Sequence, residues 1–362
     1  MRKTLASSVS RSRTMKRRTM LARMALSATG LSALAAACSN PSSAPGATNS
    51  ESKLPAHPVW KFVFVNHAMT NPFFTPTKYG IEDACSLLGC TYQWTGSEIN
   101  KVSEMVDAMR TAIADKVDGI AVSLVDPVAF NMVTDAALRA GIGVLSYNGD
   151  VPSGSPNKRL AYIGQDLYQS GLQVGAHILG LVSEGDVIGF IATPGSLNLQ
   201  PRIDGIHDAI KNSGKPINFI EIATGVAVSD ELAAIESYYL AHPKIKGMFA
   251  VDGGSTQSVG QVIEKYHLAA KGMHGGGYDL TPITLAQINK GNLDFTIDQQ
   301  PYLQGFLSVV QLFLYKLSGG LQQPSSTDTG LHFVTRENVS LYLKTQTRFE
   351  GSGNKEIVVA RS

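Results

Sequence analysis

Polar and aromatic side chains recur directly after the short apolar runs of this chain. Amides donate and accept hydrogen bonds, carboxylates accept them, and aromatic rings pack against apolar C–H faces. This combination suits a neutral polyhydroxyl ligand, whereas a phosphate ligand requires more cationic and Gly-rich donors. The side chains at these positions are Asn66, His67, Thr70, Asn71, Phe73, Phe74, Tyr147, Asn148, Ser196, Asn198, Gln200, Arg202, Asp252, Tyr278, Asp279, Asp298 and Gln299.

The motifs of common enzyme classes are absent from the sequence. It contains no Gly-x-x-x-x-Gly-Lys-Ser/Thr loop, no His-Glu-x-x-His, no Gly-x-Ser-x-Gly and no paired-cysteine metal spacing. The glycines at 253–254 and 275–277 lack the dinucleotide-binding spacing, and no Asp-x-Asp-x-Asp calcium loop occurs. We therefore predict a binding protein that uses no cofactor or metal. An extracytoplasmic sugar enzyme is an alternative that product formation would reveal.

Ten short β-branched or aromatic runs alternate with amphipathic segments of helical length from Trp60 onward. This repetition predicts an α/β fold of parallel sheets covered by helices. The carboxyl ends of parallel strands meet at one edge, so the polar residues above should converge there. Predicted strands span residues 61–65, 91–94, 119–122, 144–147, 160–163, 187–191, 219–222, 248–251, 273–277 and 295–297. Predicted helices span 72–88, 102–114, 127–140, 167–181, 202–211, 231–241, 255–266 and 281–289.

The number of strands allows either one (β/α)8 barrel or two open sheets. A Pro-, Gly- and Ser-rich stretch at 149–156 interrupts the alternation, and a new strand–helix series follows it. With 362 residues, of which 43% are apolar and 17% charged, the chain can build two cores. Two Rossmann-like lobes are therefore favoured over the barrel.

The basic residues are concentrated at the N-terminus. Residues 1–37 hold eight of the 31 Lys and Arg residues and no Asp or Glu, which leaves 23 basic against 29 acidic residues and a net charge of about −6. This balance removes the electrostatic argument for nucleic-acid binding. The same residues have the basic, apolar and small-residue regions of a secretory signal peptide. The apolar run is too short and too rich in Gly and Ser for a membrane span.

Small residues directly before Cys38 resemble the lipobox of bacterial lipoproteins. We expect Cys38 to be lipid-modified and to anchor the mature chain to the membrane, with ordinary cleavage near Ala37 as the alternative. Arg17-Arg18 also resembles a twin-arginine export signal, which leaves the export route open. Residues 38–58 read as a flexible tether. After export, Cys85 and Cys90 can form a disulfide or stay as buried thiols, and the buried thiols are favoured.

Five motifs that occur in one order resemble the ribose-binding-type periplasmic sugar-binding proteins of ABC importers, over about residues 59–349. They are Asn71-Pro72-Phe73-Phe74, Arg202-x-x-Gly205, Ala241-His242-Pro243 before Phe249-Ala250-Val251-Asp252, Gly277-Tyr278-Asp279, and Thr296-Ile297-Asp298-Gln299-Gln300-Pro301. The resemblance implies the type I periplasmic-binding-protein fold, in which two lobes joined by a three-segment hinge close on one monosaccharide. It implies an N-terminal lobe of residues 59–153 and 300–328, a C-terminal lobe of 154–299 and 329–350, and a tail of 351–362. The hinge segments are expected near 148–159, 298–301 and 326–331.

The resemblance also implies a role for each ligand-contacting residue. Phe73 and Phe74 would form a wall for the sugar, although one of two adjacent rings at a helix start usually belongs to the core. The remaining contacts would be a hydrogen bond from Asn71, a guanidinium fork from Arg202 to the ring oxygen and a hydroxyl, and hydroxyl contacts from Asp252, Asp279 and Gln299. Asp279 would also be able to cap the following helix. Arg202 has an alternative role as a surface residue paired with Asp204.

Three positions depart from the resembling proteins, one of which is Asp252, where many of them have Asn. Asn148 stands where they often have Asp, and Gly149 where they often have Arg. This weakened pair argues against ribose and for a differently substituted pentose, a hexose or a polyol.

The resemblance implies an exported, monomeric solute-binding protein. It would capture a monosaccharide or sugar alcohol by hinge closure and deliver it to the transmembrane subunits of an ABC permease. A sugar or autoinducer sensory receptor on the same fold is the alternative. A sugar-responsive repressor is disfavoured, because the N-terminus carries a leader instead of a helix-turn-helix.

Overall fold

Within residues 54–344 and 348–350, which the computed structural model describes, twelve strands form two separate six-stranded sheets. The sheet of the N-terminal lobe has the order β11-β5-β4-β3-β1-β2 and is parallel throughout. Its strands are β1 Lys61–Asn66, β2 Thr91–Gly96, β3 Gly119–Val122, β4 Gly143–Tyr147, β5 Tyr162–Gly164 and β11 Thr327–Asp328. Helices α1 Thr75–Leu88, α2 Val102–Ala114, α3 Asn131–Arg139 and α9 Pro301–Leu317 belong to this lobe. A 3₁₀ turn, Pro72–Phe74, precedes α1.

The sheet of the C-terminal lobe has the order β12-β10-β9-β8-β6-β7 and is parallel except for its edge pair β10–β12. Its strands are β6 Gly185–Ile191, β7 Ile217–Ala223, β8 Gly247–Ala250, β9 His274–Tyr278, β10 Phe295–Asp298 and β12 His332–Thr335. Its helices are α4 Leu167–Leu181, α5 Gln200–Ser213, α6 Val228–Ala241, α7 Gly253–Lys265, α8 Pro282–Lys290 and α10 Val339–Lys344. Two open sheets exclude the barrel and confirm the predicted two-lobe α/β fold.

Alternate residues of each central strand pack on opposite faces of the sheet, which gives each lobe two cores. In β1, Phe62 and Phe64 join the buried cluster that contains residues of α1 and α9. Val63 and Val65 join the cluster that contains residues of α2 and α3. Because both faces are covered, the central strands are continuous apolar runs. This explains why all ten predicted strands correspond to observed ones.

The first passage of the chain between the lobes comes later than predicted. β5 pairs with β4, so residues 148–161 connect two strands of the N-terminal sheet, and the chain leaves this lobe only after Gly164. The predicted hinge segment at 148–159 and the predicted lobe boundary at 153–154 are therefore corrected. The second passage lies between β10 and α9, and the third between β11 and β12. Both lobes belong to one compact unit that begins at Pro55.

Residues 348–350 return to the N-terminal lobe, whereas the sequence placed them in the C-terminal lobe. Arg348 donates to Glu82 at 2.9 Å and to Asp83 at 3.1 Å, and its guanidinium lies 4.2 Å from the ring centroid of Tyr79. The predicted signal peptide, Cys38, most of the tether and the tail lie outside the described residues. No helix in the described part of the chain has the length and hydropathy of a membrane span.

Cys85 and Cys90 are free and buried, in agreement with the favoured prediction. A hydrogen bond with Cys90, together with burial, raises the pKa of the Cys85 thiol. Both side chains belong to the core cluster next to α1 and α9.

Helices α4 and α5 approach closely because a glycine faces the backbone of the other helix on each side. A Cβ atom added to Gly171 would lie 2.3 Å from the carbonyl oxygen of Arg202, and one added to Gly205 would lie 2.4 Å from that of Tyr168. Such contacts are shorter than real Cβ atoms allow. The glycines therefore fix where α5, and Arg202 on it, lies relative to α4.

Gly171→Ala should lower the free energy of unfolding by about 1–3 kcal/mol, because the added methyl forces the two helices apart. Gly180→Ala is the matched control on the same helix, since nothing lies within 4 Å of the added methyl there. This control should raise the stability by about 0.5 kcal/mol. Urea unfolding of both variants measures the difference, and equal stabilities would contradict the close packing.

Candidate functional site

The carboxyl ends of strands from both sheets bring a set of buried polar side chains together between the lobes. Asn148 follows β4, Asp279 follows β9 and Gln299 follows β10. Their side chains are only 5%, 7% and 2% exposed, although all three are polar. Buried polar groups need hydrogen-bond partners, so their arrangement defines what this site can bind.

Arg202 is the buried cation of the site. It lies in the first turn of α5 and is 2% exposed. Nη1 donates to the carbonyl of Val251 at 2.9 Å, and Nη2 donates to Oε1 of Gln165 at 3.2 Å. The guanidinium carbon lies 4.2 Å from the ring centroid of Tyr278, a cation–π contact. The alternative of a surface residue paired with Asp204 is wrong.

One donor of Arg202 is unused. No atom of the described residues accepts a hydrogen bond from its Nε, which is buried. The acceptors of the other two nitrogens are uncharged. A buried guanidinium donor without an acceptor costs free energy, which an oxygen of a bound ligand would recover.

A chain of amide groups connects Asp279 to Asn148 across the lobes. Nε2 of Gln299 donates to Oδ1 of Asp279 at 2.7 Å, and Nε2 of Gln304 lies 3.3 Å from Oε1 of Gln299. Oε1 of Gln304 then accepts from Nδ2 of Asn148 at 3.3 Å. Gln304 lies on α9 and is fully buried, so it links the second passage of the chain to the N-terminal lobe.

The backbone takes left-handed conformations where these side chains leave their strands. The φ angles are +62° at Asn148, +76° at Asp279 and +56° at Gln300. Non-glycine residues adopt such angles at a free-energy cost and tend to do so at functional sites. Asp279 does not cap α8, because the side chain of Thr281 accepts from Thr284 N–H instead.

Two opposing effects act on the pKa of the Asp279 carboxyl. Burial raises the pKa of its carboxyl to about 6, while the positive charge of Arg202 acts against that rise. At neutral pH the carboxyl is therefore mostly ionised. Arg202 and the Asp279 carboxylate therefore compensate each other's charge in part.

Asp252 has a structural role in this arrangement. Its Oδ1 accepts from Ser255 N–H at 2.8 Å and its Oδ2 from Ala192 N–H at 3.0 Å, so it caps α7. Glu231 beside it is 3% exposed, and burial and the charge of Asp252 raise the pKa of Glu231 to about 9. Glu231 therefore holds a proton at neutral pH. The hydroxyl contact predicted for Asp252 stays a prediction, and both of its oxygens already have backbone partners.

The residues of the Asn71-Pro72-Phe73-Phe74 motif lie in three different environments. Phe74 is buried in the core of the N-terminal lobe, with its ring 5.3 Å from that of His67. Phe73 is half-buried and lines a cavity of about 530 Å³ together with Asp279 and Gln299. Asn71 is exposed, and its Oδ1 accepts from Phe73 N–H at 2.9 Å to begin the 3₁₀ turn. Phe73 therefore lies beside Asp279 and Gln299, whereas Asn71 lies at the surface.

A second cavity, of about 650 Å³, lies on the side of the first hinge passage. Tyr162 and Gln165 line it with residues of both lobes, among them Leu167 and Ser326. Gln165 also accepts from Arg202, and its Nε2 donates to the carbonyl of Gly330 at 3.1 Å. Gln165 thereby joins the first and third hinge passages to the arginine.

Two amide side chains that the sequence analysis did not select as ligand contacts, Gln165 and Gln304, take part in this network, and a third, Asn198, lies 3.1 Å from Nε2 of His67. Gln165 had a usable signal, because it lies two residues after the predicted strand 160–163. Asn198 appeared among the polar strand ends without a role. Gln304 lies inside a helix, where nothing in the local sequence separates it from a solvent-exposed glutamine.

Two parallel α/β lobes, three passages of the chain between them and a buried polar site at their junction define a two-lobe solute-binding protein of the hinge type. Residues 62–319 match the periplasmic binding protein domain, and this chain belongs to that family. The expected type I periplasmic-binding-protein fold is thereby confirmed.

The chain is 50% identical over 312 residues to the xylose/arabinose-binding protein XylF of Sulfolobus acidocaldarius, a match covering 83% of this chain and 77% of that protein. A solved ABC transporter solute-binding protein from Burkholderia graminis, in complex with D-arabinose, has a TM-score of 0.72 and 27% identity. That match covers 78% of this chain and 96% of the other. A carbohydrate transporter from Acidothermus cellulolyticus, in complex with myo-inositol, shares the fold with a TM-score of 0.70, 23% identity and coverage of 79% and 98%.

Glu231→Gln should remove a pH-dependent loss of stability. The pKa of Glu231 is raised in the folded protein to about 9, so its contribution to stability is full below its ordinary pKa near 4.5 and disappears as the pH rises towards 9. The variant should be more stable than the wild type by several kcal/mol at pH 8, since one pKa unit corresponds to about 1.4 kcal/mol, and equally stable at pH 4. Chemical unfolding at both pH values checks this, with the exposed Glu184→Gln as control. A variant with the pH dependence of the wild type would contradict the raised pKa.

Proposed function

We propose that this chain is the extracytoplasmic sugar-binding protein of an ABC importer and that it captures a neutral pentose between its lobes. The names of its relatives support the pentose class: xylose and arabinose for XylF, and D-arabinose for the solute-binding protein from Burkholderia graminis. The family membership supports binding as the activity.

The unused Nε donor of Arg202 is the observation that carries this proposal. It belongs to a guanidinium 2% exposed to solvent, at the junction of the lobes, in the same polar set as Asp279 and Gln299. A sugar supplies what is missing, because its hydroxyl and ring oxygens accept from Arg202 while its hydroxyl hydrogens donate to Asp279.

The charge balance of the site favours an uncharged ligand. Arg202 and Asp279 compensate each other, and Asp298 adds a buried acidic group on the side of the smaller cavity. An anionic ligand would meet these carboxyls without a second buried cation among the predicted site residues. Phe73 adds an apolar surface for the C–H face of the ring.

Closure of the hinge would assemble the site. Gln165, Gln299 and Thr329 lie in the three passages between the lobes, and hydrogen bonds connect them to Arg202, Asp279 and Gln304. A ligand that bridges both lobes would shift the equilibrium towards the closed form, which the transmembrane subunits of an ABC permease would recognise.

Export, membrane anchoring and the monomeric state are proposed from the sequence alone. A signal peptide would direct the chain out of the cell, and Cys38 would carry the lipid that anchors it to the membrane. The protein would act as a monomer and release its sugar unchanged, because binding does not require the chemistry of an enzyme.

Thermal unfolding of the purified protein with D-xylose, D-arabinose, L-arabinose, D-glucose, myo-inositol and an amino acid tests the proposal. A ligand present at 100 times its Kd stabilises the folded state by about 2.7 kcal/mol, enough to raise Tm by several degrees. A shift with a pentose that is recovered unchanged supports the proposal. A shift with only the amino acid, or conversion of the sugar to a product, would overturn it.

Arg202→Ala should weaken pentose binding by about 30-fold to 1000-fold, because ligand acceptors lose a charged donor. Arg202→Lys should remain far weaker than the wild type, since an ammonium group cannot replace the planar fork. Titration calorimetry measures both, with Arg139→Ala on the exposed face of α3 as control. An unchanged Kd in Arg202→Ala would eliminate this residue as a ligand contact.

A further inference from the structure

A turn of the C-terminal lobe reaches across to the N-terminal lobe beside the proposed sugar site. This turn, residues 196–198, lies between β6 and α5. The backbone N–H of Leu197 donates to the carbonyl of Val125 at 3.1 Å, and Nδ2 of Asn198 donates to Nε2 of His67 at 3.1 Å. Ser196 and Asn198 are buried by this contact. These hydrogen bonds join the lobes directly.

The contact with Asn198 fixes the protonation state of His67. Because Nε2 accepts from Asn198, the ring proton must reside on Nδ1, which lies 3.0 Å from Oγ of Ser123. The imidazole is 8% exposed and stands edge-on to the ring of Phe74. A doubly protonated ring would present a donor to the Asn198 amide donor and would place an unpaired charge between the lobes.

Gly149 makes room for this turn. A Cβ atom added there would lie 3.1 Å from Cβ of Asn198 and 3.1 Å from Oγ of Ser123. This is the position where the resembling proteins often have Arg. The absence of a side chain at Gly149 therefore leaves the space that Asn198 and Ser123 occupy.

We propose that His67 and Asn198, seated over Gly149, form a latch between the lobes that retains the bound sugar and opens when the medium is acidified. The latch rests on the proposed function, since retention is meaningful only for a protein that binds a ligand. Its physical basis is that the two hydrogen-bonding atoms lie on different lobes, so opening the hinge separates them.

Burial lowers the pKa of His67 to about 4 in the closed protein, and burial is the only cause. The elements packed against the ring present the uncharged Ser123, Asn198 and Phe74. Three charged side chains on the neighbouring segments have partners other than His67. Lys101 pairs with Glu104 at 3.2 Å, Asp126 accepts from backbone N–H groups of the turn before α3, and Arg202 donates to Val251 and Gln165.

The direction of the pH effect follows from linkage. In the open form the exposed imidazole should have its ordinary pKa near 6.5, so opening takes up a proton below that pH. With a pKa of about 4 in the closed form, affinity should fall about 30-fold between pH 7.5 and pH 5 through His67 alone. Burial also raises the pKa of carboxyls at the site, to about 6 for Asp279 and in the same direction for Asp252 and Asp298, so these groups add to the pH dependence.

The test compares the wild type with His67→Gln, which keeps an acceptor for Asn198 and a donor for Ser123 but does not titrate. The Kd and dissociation rate of D-xylose, or of D-arabinose if that sugar binds more tightly, are measured at pH 7.5, 6 and 5. The wild type should lose about 30 times more affinity than His67→Gln over this range. Any loss that remains in His67→Gln belongs to the buried carboxyls of the site. Asn198→Ala should release the sugar at least tenfold faster at pH 7.5, and the exposed His207→Gln should match the wild type throughout.

Equal pH dependence in the wild type and His67→Gln, or an unchanged release rate in Asn198→Ala, would overturn the latch while leaving the proposed function intact. If no pentose binds the wild type, the proposed function fails. The interlobe contact is then tested in the free protein by measuring hydrogen exchange of the Leu197 amide. Faster exchange of this amide in Asn198→Ala than in the wild type would then support an interlobe latch. Equal exchange would overturn it.

Discussion

The burial of a guanidinium between two lobes is the constraint on which the rest of this structure depends. A charge as little exposed as Arg202 must be held by fixed acceptors and by neighbouring charge, because water no longer solvates it. The carbonyl of Val251, the amide of Gln165, the ring of Tyr278 and the carboxyl of Asp279 together meet this requirement. They come from three separate segments, so the charge is stable only when the fold brings all of them together.

The amide groups extend this constraint to the hinge. Gln165, Gln299 and Gln304 each connect a site residue to a passage of the chain between the lobes. Amides suit this position because they donate and accept at once and carry no charge that would have to be compensated in either form of the hinge. The groups that would contact a ligand and the segments that would move are therefore mechanically connected.

The sequence predicted the sheets well because parallel strands covered on both faces are continuous apolar runs. It missed β11, which is two polar residues long, and β12, whose pattern is that of a half-exposed edge strand. The first hinge passage was placed too early, since a Pro- and Gly-rich loop inside one lobe resembles a linker between lobes. At the site, strand ends predicted Arg202, Asp279 and Gln299 as neighbours. The structural use of Asp252 and Asn71 depends on backbone groups that neighbouring residues present, and no local pattern encodes those.

The ion pairs of Arg348 with α1 determine which lobe would bear a mechanical force. The described chain begins at the N-terminal lobe, where Trp60 belongs to the core, and its last described residues lie on the same lobe. The C-terminal lobe is thus built from two stretches of the chain, from α4 to β10 and from β12 to α10, and both stretches lie between parts of the N-terminal lobe. A force applied between the two ends of the described chain would be borne by α1 and the first sheet. The second lobe would remain unloaded and free to rotate.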